Sequence, residues 1–179
     1  MTDRMEIRIA GSGGQGVILA SIILAEAALM TGYNVAQTQS YGAEARGGMC
    51  KAEVVTSSGK IGYFKVRKPT LLLALTQQSL NQYTANIPDT CLIMADDSLD
   101  LPEGPAPERV IRLPILRTAT EDVGRALTAN IVAVGAINRV IALASDEDLR
   151  QAVLKNVPAG TEDLNLKALE IGEKLYVRG

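Results

Sequence analysis

Histidine and tryptophan are absent from this 179-residue sequence, which holds only one phenylalanine and five tyrosines. Without histidine, the chain alone cannot form a Ser-His-Asp or Cys-His catalytic site, or the usual zinc sites. The scarcity of aromatic rings leaves little with which to stack nucleic-acid bases. Any catalysis by this chain alone would depend on carboxylates, lysine, tyrosine or cysteine.

The sequence also lacks an excess of positive charge and a long hydrophobic run. It has 18 Lys and Arg against 20 Asp and Glu, so it lacks the basic character of a general nucleic-acid-binding protein. The longest apolar stretch, residues 17–30, is interrupted by Ser21 and Glu26. It is shorter than the roughly 20 residues that span a bilayer. No signal peptide is visible, so we expect a cytoplasmic protein that binds neither nucleic acid nor membrane.

The two cysteines, Cys50 and Cys91, are too few for an ordinary four-cysteine iron–sulfur cluster, and neither belongs to a C-x-x-C pair. A disulfide between them stays open as an alternative. A reducing cytosol favours two buried thiols instead.

Aliphatic residues dominate the 47% hydrophobic content, and the length suits one domain over residues 1–179. Predicted strands alternate with predicted helices along the chain. This order predicts an α/β fold, a three-layer sandwich around a mainly parallel, mixed, Rossmann-like sheet with a helical C-terminal tail. The predicted strands cover residues 6–10, 34–39, 49–56, 61–66, 71–75, 90–95 and 109–113. The predicted helices cover residues 17–31, 77–86, 128–143, 146–156 and 162–177.

Two local arrangements follow from this pattern. The first strand, helix and second strand form a βαβ unit, which favours parallel pairing of the two strands. Residues 49–56 and 61–66, joined by a turn, predict a hairpin. The helix at 17–31 is apolar on most sides, which indicates burial on a second side. That side either faces another subunit or is covered within the domain.

A glycine-rich loop joins the first predicted strand to its helix and fits the pattern G-x-G-x-x-G. It consists of Gly11, Ser12, Gly13, Gly14, Gln15 and Gly16. Two common interpretations fail, because residues 35–40 lack the acid that would hold an NAD ribose, and Val17-Ile18 replaces the Lys-Ser/Thr of a P-loop. Either the loop is a tight turn for packing, or it contacts an anion or cofactor through another geometry.

A second glycine loop, residues 40–48, follows the second predicted strand. Its candidate site residues are Tyr41, Gly42, Glu44, Arg46, Gly47 and Gly48. In a parallel sheet this loop lies at the same carboxyl edge as the first, where ligand crevices form. Arg46 could pair bidentately with a phosphate or carboxylate. The alternative is a Glu44–Arg46 surface pair that contributes little to stability.

The two loops and the apolar helix between them resemble the gamma subunit of 2-oxoacid:ferredoxin oxidoreductases over essentially the whole chain. That group includes pyruvate, 2-oxoglutarate and branched-chain 2-ketoacid enzymes, and a related subunit occurs in indolepyruvate oxidoreductase. The resemblance implies a complex that converts a 2-oxoacid and coenzyme A to acyl-CoA and carbon dioxide while reducing ferredoxin. It implies that this chain is inactive alone.

The resemblance also implies which subunits carry the cofactors and the ligand contacts. Alpha, beta and delta subunits would be the partners, with ferredoxin reached indirectly. Thiamine diphosphate and iron–sulfur clusters would lie on those partners, and the two glycine loops here would face coenzyme A or a partner chain. We expect the backbone N–H groups of residues 12–15, with Arg46, to hold phosphates of coenzyme A and so position its thiol. No residue is assigned as a proton-transfer catalyst or metal ligand.

Two other functions remain open. The chain could be a structural or assembly subunit whose glycine loops pack on a neighbour without touching a ligand. It could also be a nucleotide-binding regulatory module, which would bind its ligand tightly in isolation.

Overall fold

A mixed six-stranded sheet forms the centre of the computed structural model, which describes residues 4–42, 48–101 and 103–177. The strands are β1 (Met5–Ser12), β2 (Asn34–Tyr41), β3 (Met49–Ser57), β4 (Leu71–Ala74), β5 (Leu92–Asp96) and β6 (Val110–Leu113). Their order in the sheet is β2-β3-β1-β4-β5-β6. Strands β1, β4, β5 and β6 pair in parallel, whereas β3 is antiparallel to both its neighbours. The predicted α/β fold with a mixed sheet is confirmed.

The predicted hairpin between residues 49–56 and 61–66 is wrong. Strand β3 lies between β1 and β2, with Val54 opposite both Ile7 and Gln37. Residues 61–66 form no strand, and Val66 is their one buried side chain. A strand needs a buried face to hold its register, and this segment has none. The predicted direct pairing of β1 with β2 is also wrong, because β3 lies between them, although the two strands do run in the same direction.

Six α-helices accompany the sheet in the described residues. They are α1 (Val17–Met30), α2 (Gln77–Thr84), α3 (Ile115–Thr118), α4 (Ala129–Ile141), α5 (Asp146–Asn156) and α6 (Glu162–Lys174). Helices α1, α4, α5 and α6 share one hydrophobic core with one face of the sheet. On the other face, Leu80 of α2 packs against Ala74, Ile93 and Ala95. In the part of the chain that the structure describes, no helix is both long and apolar enough to cross a membrane.

The second apolar side of α1 is covered largely within the protein. Helices α4 and α5 pack against it, and Glu26 of α1 accepts hydrogen bonds from Lys155 and Asn156 of α5. Exposed apolar side chains remain at Ile22, Leu29 and Met30. Burial within the protein therefore accounts for most of the apolar surface of this helix.

Candidate functional site

The two glycine loops lie side by side at the edge of the sheet where β1 and β2 end. Ser12 pairs with Met49 across the sheet, and the Gly13 N–H donates to the Gly48 carbonyl at 3.0 Å. The second loop joins β2 to β3 as a hairpin connection. Glu44, Arg46 and Gly47 lie outside the described residues. We call the described ends of the two loops, residues 11–16, 41–42 and 48, the two-loop edge.

The first glycine loop is closed by hydrogen bonds of its own. The Ser12 N–H donates to Gln15 Oε1 at 2.7 Å, and the Gln15 N–H donates to the Ser12 carbonyl at 3.2 Å. Gln15 Nε2 donates to the carbonyl of Leu75, just beyond β4, at 3.4 Å. Of the N–H groups at residues 12–15 that were expected to bind phosphate, those of Ser12, Gly13 and Gln15 are therefore engaged inside the protein.

Gly11 and Gly16 are required by packing. A Cβ atom on Gly11 would lie 2.4 Å from Gln15 Oε1 and 3.1 Å from Val17 Cγ2. Gly16 has a φ of +71°, and a Cβ there would lie 2.5 Å from Asn130 Nδ2. These two glycines fit the tight-turn interpretation of the motif, because side chains of the protein itself fill the space beside them.

Gly14 is different, since its space is open. It has a φ of +94°, and apart from Gly14 itself and its two chain neighbours no described residue has a heavy atom within 4 Å of the position of a Cβ. Among those residues, no acceptor is found for its N–H group. Helix α1 starts directly after Gly16, and no side chain caps the N–H groups of its first turn. An uncapped helix start with an open glycine beside it is suited to an anion.

Asn130, in the first turn of α4, is a further candidate site residue, which sequence reasoning missed. It is 3% exposed, and its Nδ2 donates to the Gly16 carbonyl at 3.4 Å. Together with Leu19 of α1 and with Arg125, it lines a cavity of about 180 Å³. An asparagine within an apolar helix is visible in the sequence. Its position against Gly16 depends on how α4 packs beside α1, which no local pattern encodes.

Tyr41 and Gly42 lie at the end of β2. The Tyr41 side chain is 68% exposed, so its ring is free to contact a ligand or another chain. The Gly42 N–H donates to the Met49 carbonyl at 2.7 Å and extends the β2–β3 ladder by one bond. Tyr41 is therefore accessible at the two-loop edge, whereas Gly42 is held by the sheet.

The cysteines offer no reactive group. Cys50 and Cys91 are free and buried, so no disulfide joins them. Burial raises the pKa of the Cys50 thiol, and it is the main cause that raises the pKa of Cys91 to about 11. In residues 4–42, 48–101 and 103–177, no group of three or more His, Cys, Asp or Glu side chains is placed to hold a metal ion. The groups that the two-loop edge offers to a ligand are backbone N–H donors, which suit an anion.

Comparison with known proteins gives a consistent picture. The family model described as pyruvate ferredoxin/flavodoxin oxidoreductase matches residues 6–175. The 2-oxoglutarate synthase subunit KorC of Methanocaldococcus jannaschii is 42% identical over 174 residues, which cover 94% of this chain and 92% of that protein. The family match spans the two glycine loops and the helical tail.

Solved structures agree. The gamma subunit of a keto/oxoacid ferredoxin oxidoreductase from Geobacter sulfurreducens PCA superposes with a TM-score of 0.85 at 40% identity, covering 96% of this chain and 95% of that one. A 2-oxoglutarate:ferredoxin oxidoreductase from Magnetococcus marinus, with 2-oxoglutarate, coenzyme A and succinyl-CoA bound, has a TM-score of 0.86. At 24% identity, over 98% of this chain and 31% of that one, the second structure shows the fold alone. The chain belongs to the pyruvate ferredoxin/flavodoxin oxidoreductase family, as a gamma-type subunit of the 2-oxoacid:ferredoxin oxidoreductases.

Proposed function

We propose that this chain helps to hold coenzyme A at the two-loop edge of a multisubunit 2-oxoacid:ferredoxin oxidoreductase. The observation that carries the proposal is that, among residues 4–42, 48–101 and 103–177, none outside its chain neighbours fills the space at Gly14 beside the uncapped start of α1. Alpha, beta and delta subunits would complete the cytoplasmic complex and carry thiamine diphosphate and the iron–sulfur clusters. Ferredoxin would accept electrons from those subunits. The Magnetococcus marinus enzyme has coenzyme A and succinyl-CoA bound, which makes coenzyme A the ligand to test.

The phosphates of coenzyme A match the donors that the loop leaves available. The Gly14 N–H and the first-turn N–H groups of α1 would bind phosphate oxygens, aided by the positive end of the helix dipole. Arg46 would add a bidentate contact from the second loop. Fixing the phosphates would place the thiol near the reacting centre on the partner subunits, which lowers the barrier through proximity. No proton transfer is assigned to this chain.

A second candidate function is assembly alone. It is favoured by Gly11 and Gly16, whose missing side chains are explained by Gln15 and Asn130 without any ligand. Under this alternative, substitutions in the loops abolish formation of the complex, and any complex that still forms has an unchanged affinity for coenzyme A. A nucleotide-binding regulatory module would instead bind its ligand tightly as an isolated chain, which isothermal titration measures directly.

The Arg46→Ala variant tests the role of the second loop. In the assembled complex, we expect the KM for coenzyme A to rise about tenfold or more, because a charged hydrogen bond contributes roughly 1.5–3 kcal/mol. Arg150→Ala is the matched control, since Arg150 is an exposed cation on α5. The measurements are steady-state kinetics and isothermal titration of the assembled complexes. An unchanged coenzyme A affinity in an intact Arg46→Ala complex rules out this role for Arg46.

A further inference from the structure

Residues 60–68 concentrate positive charge and aromatic rings on the surface, and we call them the basic segment. Lys60, Lys65, Arg67 and Lys68 are all exposed. The sequence has no Asp or Glu between positions 54 and 88. None of the four cations forms an ion pair with any described residue. On a chain of net charge −2, this is a local excess of uncompensated positive charge.

Exposed aromatic side chains accompany these cations. Phe64, the one phenylalanine of the chain, is 54% exposed, and Tyr63 is 39% exposed. Their ring centroids lie 6.0 Å apart, and the Arg67 guanidinium lies 3.9 Å from the centroid of the Tyr63 ring. Aromatic residues and arginine are enriched in the centres of protein–protein interfaces and dominate their binding energy.

Hydrogen bonds to Glu6 of β1 and to Arg4 hold the backbone of the basic segment. Glu6, only 8% exposed, accepts the N–H groups of Arg67 at 2.6 Å and Lys68 at 2.8 Å. Glu6 also accepts from Arg4 Nε at 2.9 Å, and Arg4 Nη2 donates to the Tyr63 carbonyl at 2.9 Å. These hydrogen bonds hold backbone groups of Tyr63, Arg67 and Lys68 in place. They leave the aromatic rings and charged groups of the segment exposed to solvent.

The location separates the basic segment from the two-loop edge. Glu6 lies near the amino end of β1, whereas the first glycine loop begins at its carboxyl end. At about 3.3 Å per residue, the strand between Glu6 and Gly13 spans roughly 23 Å. The basic segment and the two-loop edge are therefore separate surfaces of the chain.

We propose that the basic segment is the docking surface for an acidic protein partner, a companion subunit that presents Asp and Glu side chains around an apolar contact for Phe64. The charge complementarity of the four unpaired cations selects an acidic surface, and the exposed rings supply the apolar centre. This proposal depends on the proposed function in one respect, that the chain works within a complex. Two rings on a chain of negative net charge offer too little for a nucleic acid.

Assembly measurements on the full chain, with its companion subunits coexpressed, test this proposal. The test variant is Phe64→Ser with Arg67→Glu. The matched control is Leu29→Ser with Arg150→Glu, which also replaces one exposed apolar side chain and one exposed cation. We expect the test variant to raise the dissociation constant from the companion subunits at least tenfold, roughly the effect of one interface hot spot. The control should match the wild type, and added salt should weaken only the wild-type and control complexes strongly.

Zero-length carbodiimide cross-linking of the wild-type complex gives a result that does not depend on variant folding. Mass spectrometry should find Lys65 or Lys68 joined to an Asp or Glu of a companion subunit. The proposal is overturned if neither lysine is cross-linked and the test variant assembles as tightly as the control. It is also overturned if the variant loses copurifying nucleic acid while subunit assembly is unchanged. Neither outcome changes the coenzyme A affinity measured for the Arg46→Ala complex, so each proposal can be refuted without the other.

Discussion

At the residue scale, the glycines of the first loop serve different purposes. Gly11 and Gly16 make room for Gln15 and Asn130, so their lack of a side chain is a packing requirement. A Cβ on Gly14 would meet no described residue other than its chain neighbours. Gly13 and Gly14 are both exposed, but the Gly13 N–H is engaged by the Gly48 carbonyl, whereas the Gly14 N–H has no acceptor among the described residues. The tight-turn interpretation of the motif fits Gly11 and Gly16, and a ligand contact at Gly14 stays a proposal.

Substitution of Gly16 tests the packing requirement. Gly16 and Gly32 both have a positive φ, but only Gly16 has a neighbour, Asn130, within reach of a Cβ. We expect Gly32→Ala to lower the free energy of unfolding by about 1 kcal/mol, the cost of the left-handed backbone alone. Gly16→Ala should lower it by about 2–4 kcal/mol, because overpacking against Asn130 adds to that cost.

Urea denaturation of the three proteins measures these losses. A further variant, Asn130→Ala in the Gly16→Ala background, should recover part of the additional loss, as coupled neighbours do. Equal losses for Gly16→Ala and Gly32→Ala would contradict the assignment of Asn130 as the clashing group.

The site could be predicted from the sequence only in part. The glycine motif between a strand and a helix located the first loop correctly, and the carboxyl-edge rule placed the second loop beside it. Gln15, in contrast, turns inward to Leu75, sixty residues further along the chain. Such a contact depends on β4 pairing with β1, so the spacing within the motif does not reveal it.

At the element scale, β3 decides the topology. Its alternate residues Cys50, Ala52 and Val54 are buried on the helix-covered face, which fits a strand with a neighbour on each side. Local turn signals at residues 57–60 instead predicted a hairpin with residues 61–66. The buried strands β4 and β5 were predictable, because a continuous apolar run has no alternative to burial. The position of β3 between β1 and β2 could not be predicted in this way, because the whole sheet determines how strands far apart in sequence pair.

Glu6 gives an element-scale prediction about pH. Burial raises the pKa of Glu6, but the N–H groups of Lys68 and Arg67, together with Arg4, outweigh it and lower the pKa below the ordinary value of 4.5. Because the folded pKa is lowered, the stability that Glu6 provides is fully present above pH 4.5. It is lost as the pH falls through the folded pKa.

The Glu6→Gln variant isolates this contribution. At neutral pH we expect it to lower the free energy of unfolding by roughly 1–3 kcal/mol, because an amide replaces a carboxylate that accepts backbone N–H groups. Below pH 4.5 the difference from the wild type should shrink. Glu170→Gln, at an exposed glutamate paired with Lys174, should show little difference at any pH. Chemical denaturation across this pH range gives the result, and a difference that grows in acid would refute the account.

At the scale of the whole molecule, two surfaces at opposite ends of β1 divide the work that we propose for this chain. The two-loop edge at the carboxyl end presents Gly14, the start of α1 and Tyr41. The basic segment near the amino end presents exposed cations and rings. A subunit with this arrangement can be held by a partner at one end while contacting coenzyme A at the other.

The most direct test of the central claim is the KM for coenzyme A in the complex that contains Gly14→Asn. Asparagine tolerates a positive φ better than other side chains, so the loop keeps its backbone while the new side chain fills the open space. Gly32→Asn is the matched control, with a φ of +101° and open surroundings. It lies at the other end of α1, about 20 Å away. The account predicts a KM raised about tenfold or more for Gly14→Asn, with intact assembly and a near wild-type value for Gly32→Asn. Wild-type KM values for both variants in intact complexes would contradict it.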